Sequence, residues 1–277
     1  MADVSGSSGG GQNQGRIAAF FDLDKTVIAK PSTLAFSRPF YQGGLLNRRA
    51  VLEGSYAQFL MLVSGADHDQ IERMRKYLAA MCTGWDVAQV RAIVAETLHE
   101  VVDPLVYAEA ADLIADHKIR GHDVVIVSAS GEEVVAPIAV AIGADHTAAT
   151  RMDIEDGKYT GEIDFYCYSE NKVVAIEKLA AREGYDLSRC FAYSDSITDL
   201  PMLKAVGHPT AVNPDRGLRR EAAARGWPIL TFSNPVSLWS RLPSPSSTTV
   251  ATTAALSAAA LAAGIVTYRL LRRGKAV

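Results

Sequence analysis

Asp22 and Asp24, separated by one leucine and followed by Lys25 and Thr26, are the residues of this chain best suited to do chemistry. They follow Ile17-Ala18-Ala19-Phe20-Phe21, an apolar run that reads as a short buried strand. Residues two apart on a strand point the same way. Here the strand has just ended, so the chain can turn and the two carboxylates can diverge. One can then attack while the other handles protons. Two charges buried together are costly unless a cation or donors compensate them, which favours a functional site. The pair alone is a weak signal, because surface turns are rich in aspartate.

Three further pieces follow predicted strand ends, where doubly wound sheets place their ligands. Val124–Val127 ends in Ser128-Ala129-Ser130-Gly131. Ser128 offers a hydroxyl, and Gly131 lets the backbone approach an anion just before a helix N-terminus. Lys172 begins a helix after a loop. Phe191–Tyr193 ends in Ser194-Asp195-Ser196-Ile197-Thr198-Asp199, two carboxylates one turn apart at a helix start. Taken singly these are a helix cap, a surface lysine and an N-cap. In this order they supply the parts of phosphoryl transfer. Mg²⁺ needs oxygen ligands. A phosphoryl group needs cationic and hydroxyl donors around its oxygens. A carboxylate nucleophile forms an aspartyl-phosphate.

The elements that must position these residues alternate from Asp103 onward. Helices are expected over Leu105–His117, Glu132–Ile142, Lys172–Arg182, Thr198–Val206 and Leu218–Arg225. Strands are expected at Val124–Val127, Phe191–Tyr193, Thr210–Val212 and Pro228–Phe232. A hairpin joins Met152–Ile154 to Tyr159–Ile163 across Asp156-Gly157. Such alternation argues for an α/β fold, a doubly wound parallel sheet with helices on both faces. Ala50–Ser64, Asp69–Met81 and Asp86–Val101 read as helices with no strand between them. A helical insertion directly after the first Asp cluster suits a cap that excludes water and selects substrate. The expected division is a disordered tail over 1–15, a core over 16–32 and 103–239, and a helical cap over 33–102. A Pro/Ser linker over 240–247 and a C-terminal helix over 248–277 complete it.

The net charge of −3 argues against a nucleic-acid partner. Cys82, Cys167 and Cys190 match no disulfide or zinc spacing. The Gly/Ser/Gln-rich N-terminus lacks an apolar stretch of signal-peptide type, which predicts a cytoplasmic catalytic portion. Residues 248–271 carry almost no charge before a basic end and are long enough to reach across a bilayer. Arg269, Arg272, Arg273 and Lys275 would then lie on the far side, against the positive-inside tendency. An interfacial helix keeps them beside anionic lipids. The expectation is a tail-tethered protein at the cytoplasmic face of the membrane, or a cytoplasmic one if the helix docks on protein.

All four motifs, in order over about residues 17–232, resemble the haloacid dehalogenase superfamily, in particular its phosphoserine phosphatase-like branch with a cap after the first motif. The resemblance implies a Mg²⁺-dependent phosphomonoesterase. In it Asp22 is nucleophile and metal ligand. Asp24 is the general acid/base, and its carbonyl also binds the metal. Thr26 supports the Asp24 loop at the phosphate site. Ser128 and the amide of Ala129 bind the phosphoryl group. Lys172 bridges Asp22 and that group. Asp195 is the carboxylate metal ligand, and Asp199 orients the metal's waters or Lys172. One departure matters. Phosphoserine phosphatases carry a cap Glu about nine residues after the nucleophile and an Arg further on, to hold the amino acid. Here the comparable place is Lys30-Pro31-Ser32-Thr33, with no acid, and nothing selects Arg73 or Arg75 for the arginine. A small phosphomonoester or a phosphorylated lipid or head group is therefore expected instead. The competing reading is a non-catalytic relative that binds a phosphorylated ligand or a partner at the membrane.

Overall fold

A seven-stranded sheet in the order β4-β3-β2-β1-β5-β6-β7 carries the fold. The computed structural model describes residues 15–46 and 76–235. The chain divides into Met1–Leu238 and Trp239–Val277. The second unit, and with it the expected linker and C-terminal helix, lies outside the described residues, as do residues 1–14, Arg73, Arg75 and the helix expected at Ala50–Ser64. No helix among the described residues is long and apolar enough to cross a membrane.

β1 (Ala18–Phe21) sits in the middle, paired in parallel with β2 (Asp123–Gly131) and β5 (Phe191–Ser194). β3 (His146–Glu155) adds in parallel to β2, and β6 (His208–Val212) and β7 (Ile229–Leu230) extend the other side. Only β4 (Lys158–Phe165) is antiparallel. The central strands are apolar throughout because both faces are covered. Ala19, Phe21, Val124 and Ile126 face one layer, while Ala18, Phe20, Val125 and Val127 face the other. The first layer holds α4 (Ala108–Ile119) and α5 (Glu132–Ala141). The second holds α6 (Glu170–Glu183), α7 (Leu200–Lys204) and α8 (Arg216–Arg225).

Between β1 and α4 the described chain is helical, with α1 (Ser32–Ala35), α2 (Ser37–Gln42), a turn of helix over 76–81, and α3 (Val87–Val102). Asp86 caps α3 by accepting from the Gln89 amide. Phe36, Phe40, Val87, Val90 and Val94 bury into the same core as Val135 and Ile126. The β3–β4 hairpin grips the start of α3, with Val87 N–H donating to Gly157 O at 3.0 Å and Gly84 N–H to Tyr159 O at 2.8 Å. Its turn residues, Asp156 (φ 50°) and Gly157 (φ 76°), are both left-handed, as a two-residue hairpin of this twist requires.

Several expected elements change shape, each for a local reason. The helix expected from Leu105 starts only at Ala108: Asp103–Leu105 is a 3₁₀ turn, and Val106 and Tyr107 are extended, with the Tyr107 amide donating to Val27 O at 3.0 Å. The helix expected over Thr198–Val206 is a 3₁₀ turn, Ile197–Asp199, followed by α7 with Pro201 in its first turn. β3 begins at His146, well before the expected Met152. Its Thr-Ala-Ala-Thr stretch is too weakly apolar to signal a strand, and pairing with β2 decides it.

Candidate active site

The sheet order reverses beside β1, and the crevice beyond the C-terminal ends of β1, β2 and β5 collects the candidate residues. Asp22 leaves β1 with its amide donating to Tyr193 O on β5 at 2.9 Å. The turn that follows is closed by Val27 and Ile28 amides donating to Leu23 O, with Lys25 in the left-handed region at φ 63°. This turn separates Asp22 from Asp24.

Lys172 comes from the first turn of α6, across the crevice. Its ammonium donates to Asp22 Oδ1 and to Asp199 Oδ2, each at 2.7 Å, and its side chain is only 3% exposed. Ser194 Oγ donates to the same Asp199 oxygen at 2.7 Å. Burial alone would push the lysine pKa down, but Asp199 and Asp22 outweigh it and hold it above its usual range. Asp22 is held well above the usual carboxylate range by burial, which Lys172 only partly offsets and to which Asp199 and Asp195 add. Asp195 rises to about 7, mainly through burial, against the pull of Lys25 and with Asp199 adding. The loop carrying Asp195 is anchored by Asp215, whose amide donates to Asp195 O and whose carboxylate accepts from the Ile197 amide.

On β2, the register against β3 shifts between Ser128 and Gly131. Such a bulge leaves backbone groups outside the ladder, here at Ala129 and Ser130. Thr150 Oγ1 fixes the Ala129 carbonyl at 2.7 Å, and Ser128 Oγ accepts the Ser130 amide at 3.1 Å. Ser128 is buried.

Asp24 is held on both oxygens. Its Oδ1 accepts the Ser32 amide at 2.7 Å, and its Oδ2 accepts Ser130 Oγ at 2.9 Å. Ser32 Oγ lies 3.3 Å from Oδ2 and 2.8 Å from Ser130 Oγ. Burial raises the Asp24 pKa against these donors. Thr26, expected to support this loop, is fully buried, and its Oγ1 has no hydrogen-bond partner among the described residues. The hydrogen bonds come from the two serines instead.

Every expected residue thus lies at this crevice or borders it: Asp22, Asp24, Thr26, Ser128, Ala129, Lys172, Asp195 and Asp199. Of the two partners expected for Asp199, the metal's waters or Lys172, the structure describes the contact with Lys172, at 2.7 Å. Ser32, Ser130, Ser194 and Lys25 also stand here, outside the expected set. Ser130 was findable, because it lies two residues after Ser128 on one strand. Ser32 had no local signal, since only the fold of the first crossing brings it to Asp24. Asp22, buried, and Asp195, half-buried, both with raised pKa values, suit a hard divalent cation. No group of three His, Cys, Asp or Glu side chains able to hold a metal occurs among the described residues. An ion there would take its other ligands from backbone oxygen and water, as Mg²⁺ readily does.

Residues 19–204 match the family model described as haloacid dehalogenase-like hydrolase. A probable phosphatase of Mycobacterium tuberculosis is 69% identical over 265 residues, covering 96% of this chain and 92% of its own length. A phosphoserine phosphatase of the same organism is 34% identical over 217 residues, 78% of this chain and 70% of the relative. Among solved structures, a Bordetella pertussis protein of unknown function superposes with a TM-score of 0.69 at 29% identity, covering 78% of this chain and 99% of that one.

Proposed function

The chain belongs to the haloacid dehalogenase-like hydrolases and is a phosphatase of the phosphoserine phosphatase-like kind, and on that footing we propose that it hydrolyses small phosphomonoesters through an aspartyl-phosphate at Asp22, with Mg²⁺ as cofactor. The observation that carries this reading is the Lys172 clamp. It occupies Asp22 Oδ1 and leaves Oδ2 without a hydrogen bond among the described residues. A carboxylate paired with an ammonium through one oxygen, with the other bare, is placed to attack.

In the first step Asp22 attacks phosphorus and the bond to the leaving oxygen breaks. That oxygen takes a proton from the Asp24 carboxylic acid. In the second step Asp24, now a carboxylate, takes a proton from water as the water attacks phosphorus and the bond from phosphorus to the Asp22 oxygen breaks. Phosphate departs and both aspartates return to their starting states. Ser128 Oγ, the amide freed at Ala129 and the Lys172 ammonium are the donors suited to the phosphoryl oxygens. Mg²⁺, held by the Asp22 and Asp195 carboxylates and the Asp24 carbonyl, would add positive charge against the phosphoryl group.

Phosphoserine is disfavoured as the substrate. About nine residues after Asp22, where an acid would meet its ammonium, stands Lys30-Pro31-Ser32-Thr33, which carries no acid. The neighbouring Lys30 repels an ammonium. Steady-state assays of a phosphomonoester panel, with Mg²⁺ and with excess chelator, test both points. The expected result is Mg²⁺-dependent turnover with phosphoserine among the poorer substrates. Undiminished turnover in chelator refutes the cofactor, and saturable hydrolysis of phosphoserine at low concentration refutes its exclusion.

A further inference from the structure

Asp22 and Asp24 are two residues apart and equally in need of support, yet they are held by different chemistry. Asp22 is gripped by an ammonium. Asp24 is gripped by a chain of two hydroxyls and one amide. Ser32 Oγ has a single proton. Given to Ser130 Oγ at 2.8 Å, it leaves the Ser130 proton for Asp24 Oδ2 at 2.9 Å, a linear relay from Ser32 through Ser130 to the carboxylate. Ser32 is fully buried and Ser130 nearly so, so water does not substitute for either.

We propose that Ser32 and Ser130 form a hydroxyl latch that positions Asp24 for proton transfer to the leaving group, a role assigned on top of the reading above. The choice of hydroxyls has a physical reason. A nucleophile must be ionised when it attacks, and an ammonium favours that. A proton donor that becomes a proton acceptor must be held in both forms. An ammonium would hold only the carboxylate. A serine hydroxyl donates to the carboxylate and accepts from the carboxylic acid, so it keeps the group in place either way. The latch also joins two elements. Ser32 opens α1 where the chain leaves the core, and Ser130 ends β2 beside Ser128, whose Oγ accepts its amide. The start of the helical insertion is thereby tied to the residue that delivers the proton.

The test uses the full chain with Ser130→Ala, Ser32→Ala and the double variant, each confirmed folded by melting temperature. kcat/KM is measured on p-nitrophenyl phosphate, phenyl phosphate and an alkyl phosphate such as glycerol 2-phosphate. A nitrophenolate leaves without help, whereas an alkoxide needs the proton. General acid catalysis typically contributes on the order of a hundred- to ten-thousand-fold. A misplaced donor should forfeit part of that, roughly ten- to a hundred-fold on the alkyl ester and only a few-fold on the nitrophenyl ester. The double variant should lose little more than Ser130→Ala, because Ser32 acts largely through Ser130. Ser130→Thr, which keeps the hydroxyl, should recover the alkyl ester selectively. Equal losses on all three substrates, or no loss on any, overturn the latch. Asp24→Asn on the same series separates the layers. If it shows the leaving-group dependence and the serine variants do not, the latch alone fails. If Asp24→Asn shows none, the assignment of Asp24 as proton donor fails with it.

Discussion

The crevice at the C-terminal ends of the strands and the aromatic cluster under α4 both bury polar groups, and they handle them in opposite ways. At the crevice, Lys172 is shared among carboxylates, and Asp22 and Asp195 keep raised pKa values. Under α4, His117 is 2% exposed and fully satisfied: one ring nitrogen meets Tyr193 Oη at 2.8 Å and the other meets His122 at 2.9 Å. Phe21, Phe191 and Tyr193 enclose it edge-on. Burial, with the neighbouring His122 adding, pushes its pKa down to about 4, so it is neutral. Tyr193 sits one residue before Ser194, so a single short strand serves both regions. Buried polarity that is complete within itself is structural. Buried polarity that remains short of positive charge is where a ligand belongs.

The sharpest way to break this contrast is to remove the proposed nucleophile. Asp22→Asn should abolish turnover of every phosphomonoester while leaving the melting temperature near its starting value, since burial already disfavours the charge. Measurable full activity in the purified variant would end the aspartyl-phosphate mechanism. Removing the cation instead should damage the fold as well. Lys172→Met leaves Asp22 and Asp199 facing each other without compensation, a loss of about 3–5 kcal/mol, read as a fall in Tm of roughly 10 °C. A neutral effect on Tm would show that the clamp contributes nothing to stability.

The shortage of positive charge predicts a gain on adding it. Mg²⁺ at about a hundred times its dissociation constant should stabilise the folded protein by about 2.7 kcal/mol, and Asp195→Asn should erase most of that shift. An identical Mg²⁺ response in Asp195→Asn would place the ion elsewhere. The smallest effect concerns the self-contained region. Folded His117 titrates near pH 4, whereas the unfolded chain takes up that proton near 6.5. The contribution of a neutral His117 is therefore complete above pH 6.5, is lost as pH falls from 6.5 to 4, and changes no further below 4. Denaturant midpoints from pH 7 to 4 should fall more steeply in the parent than in His117→Gln. Parallel profiles would show that another group governs the acid limb.

The candidate site is legible in the sequence because its motifs are local. Asp22-Leu23-Asp24, Ser128-Ala129, Lys172 and Asp195–Asp199 each follow a recognisable apolar run or open a helix, and strand ends in a parallel sheet converge on one edge. The alternation of strand and helix determined the α/β class for the same reason, since period and punctuation are written residue by residue. Tertiary structure decided what depends on residues far apart. β3 exists over His146–Thr150 because β2 offers a ladder, not because its own residues demand one. Lys172 chooses Asp22 and Asp199 across 150 and 27 residues, and Ser130 reaches Asp24 across 106. Thr26, adjacent to the site in sequence, ends with its hydroxyl unpartnered among the described residues, while Ser32, carrying no signal, closes on Asp24. Short-range pattern fixes which groups arrive at the crevice. Which of them touch is set by the packing of α1 and β2 against β1, because a hydrogen bond depends on a few tenths of an ångström that no local spacing encodes.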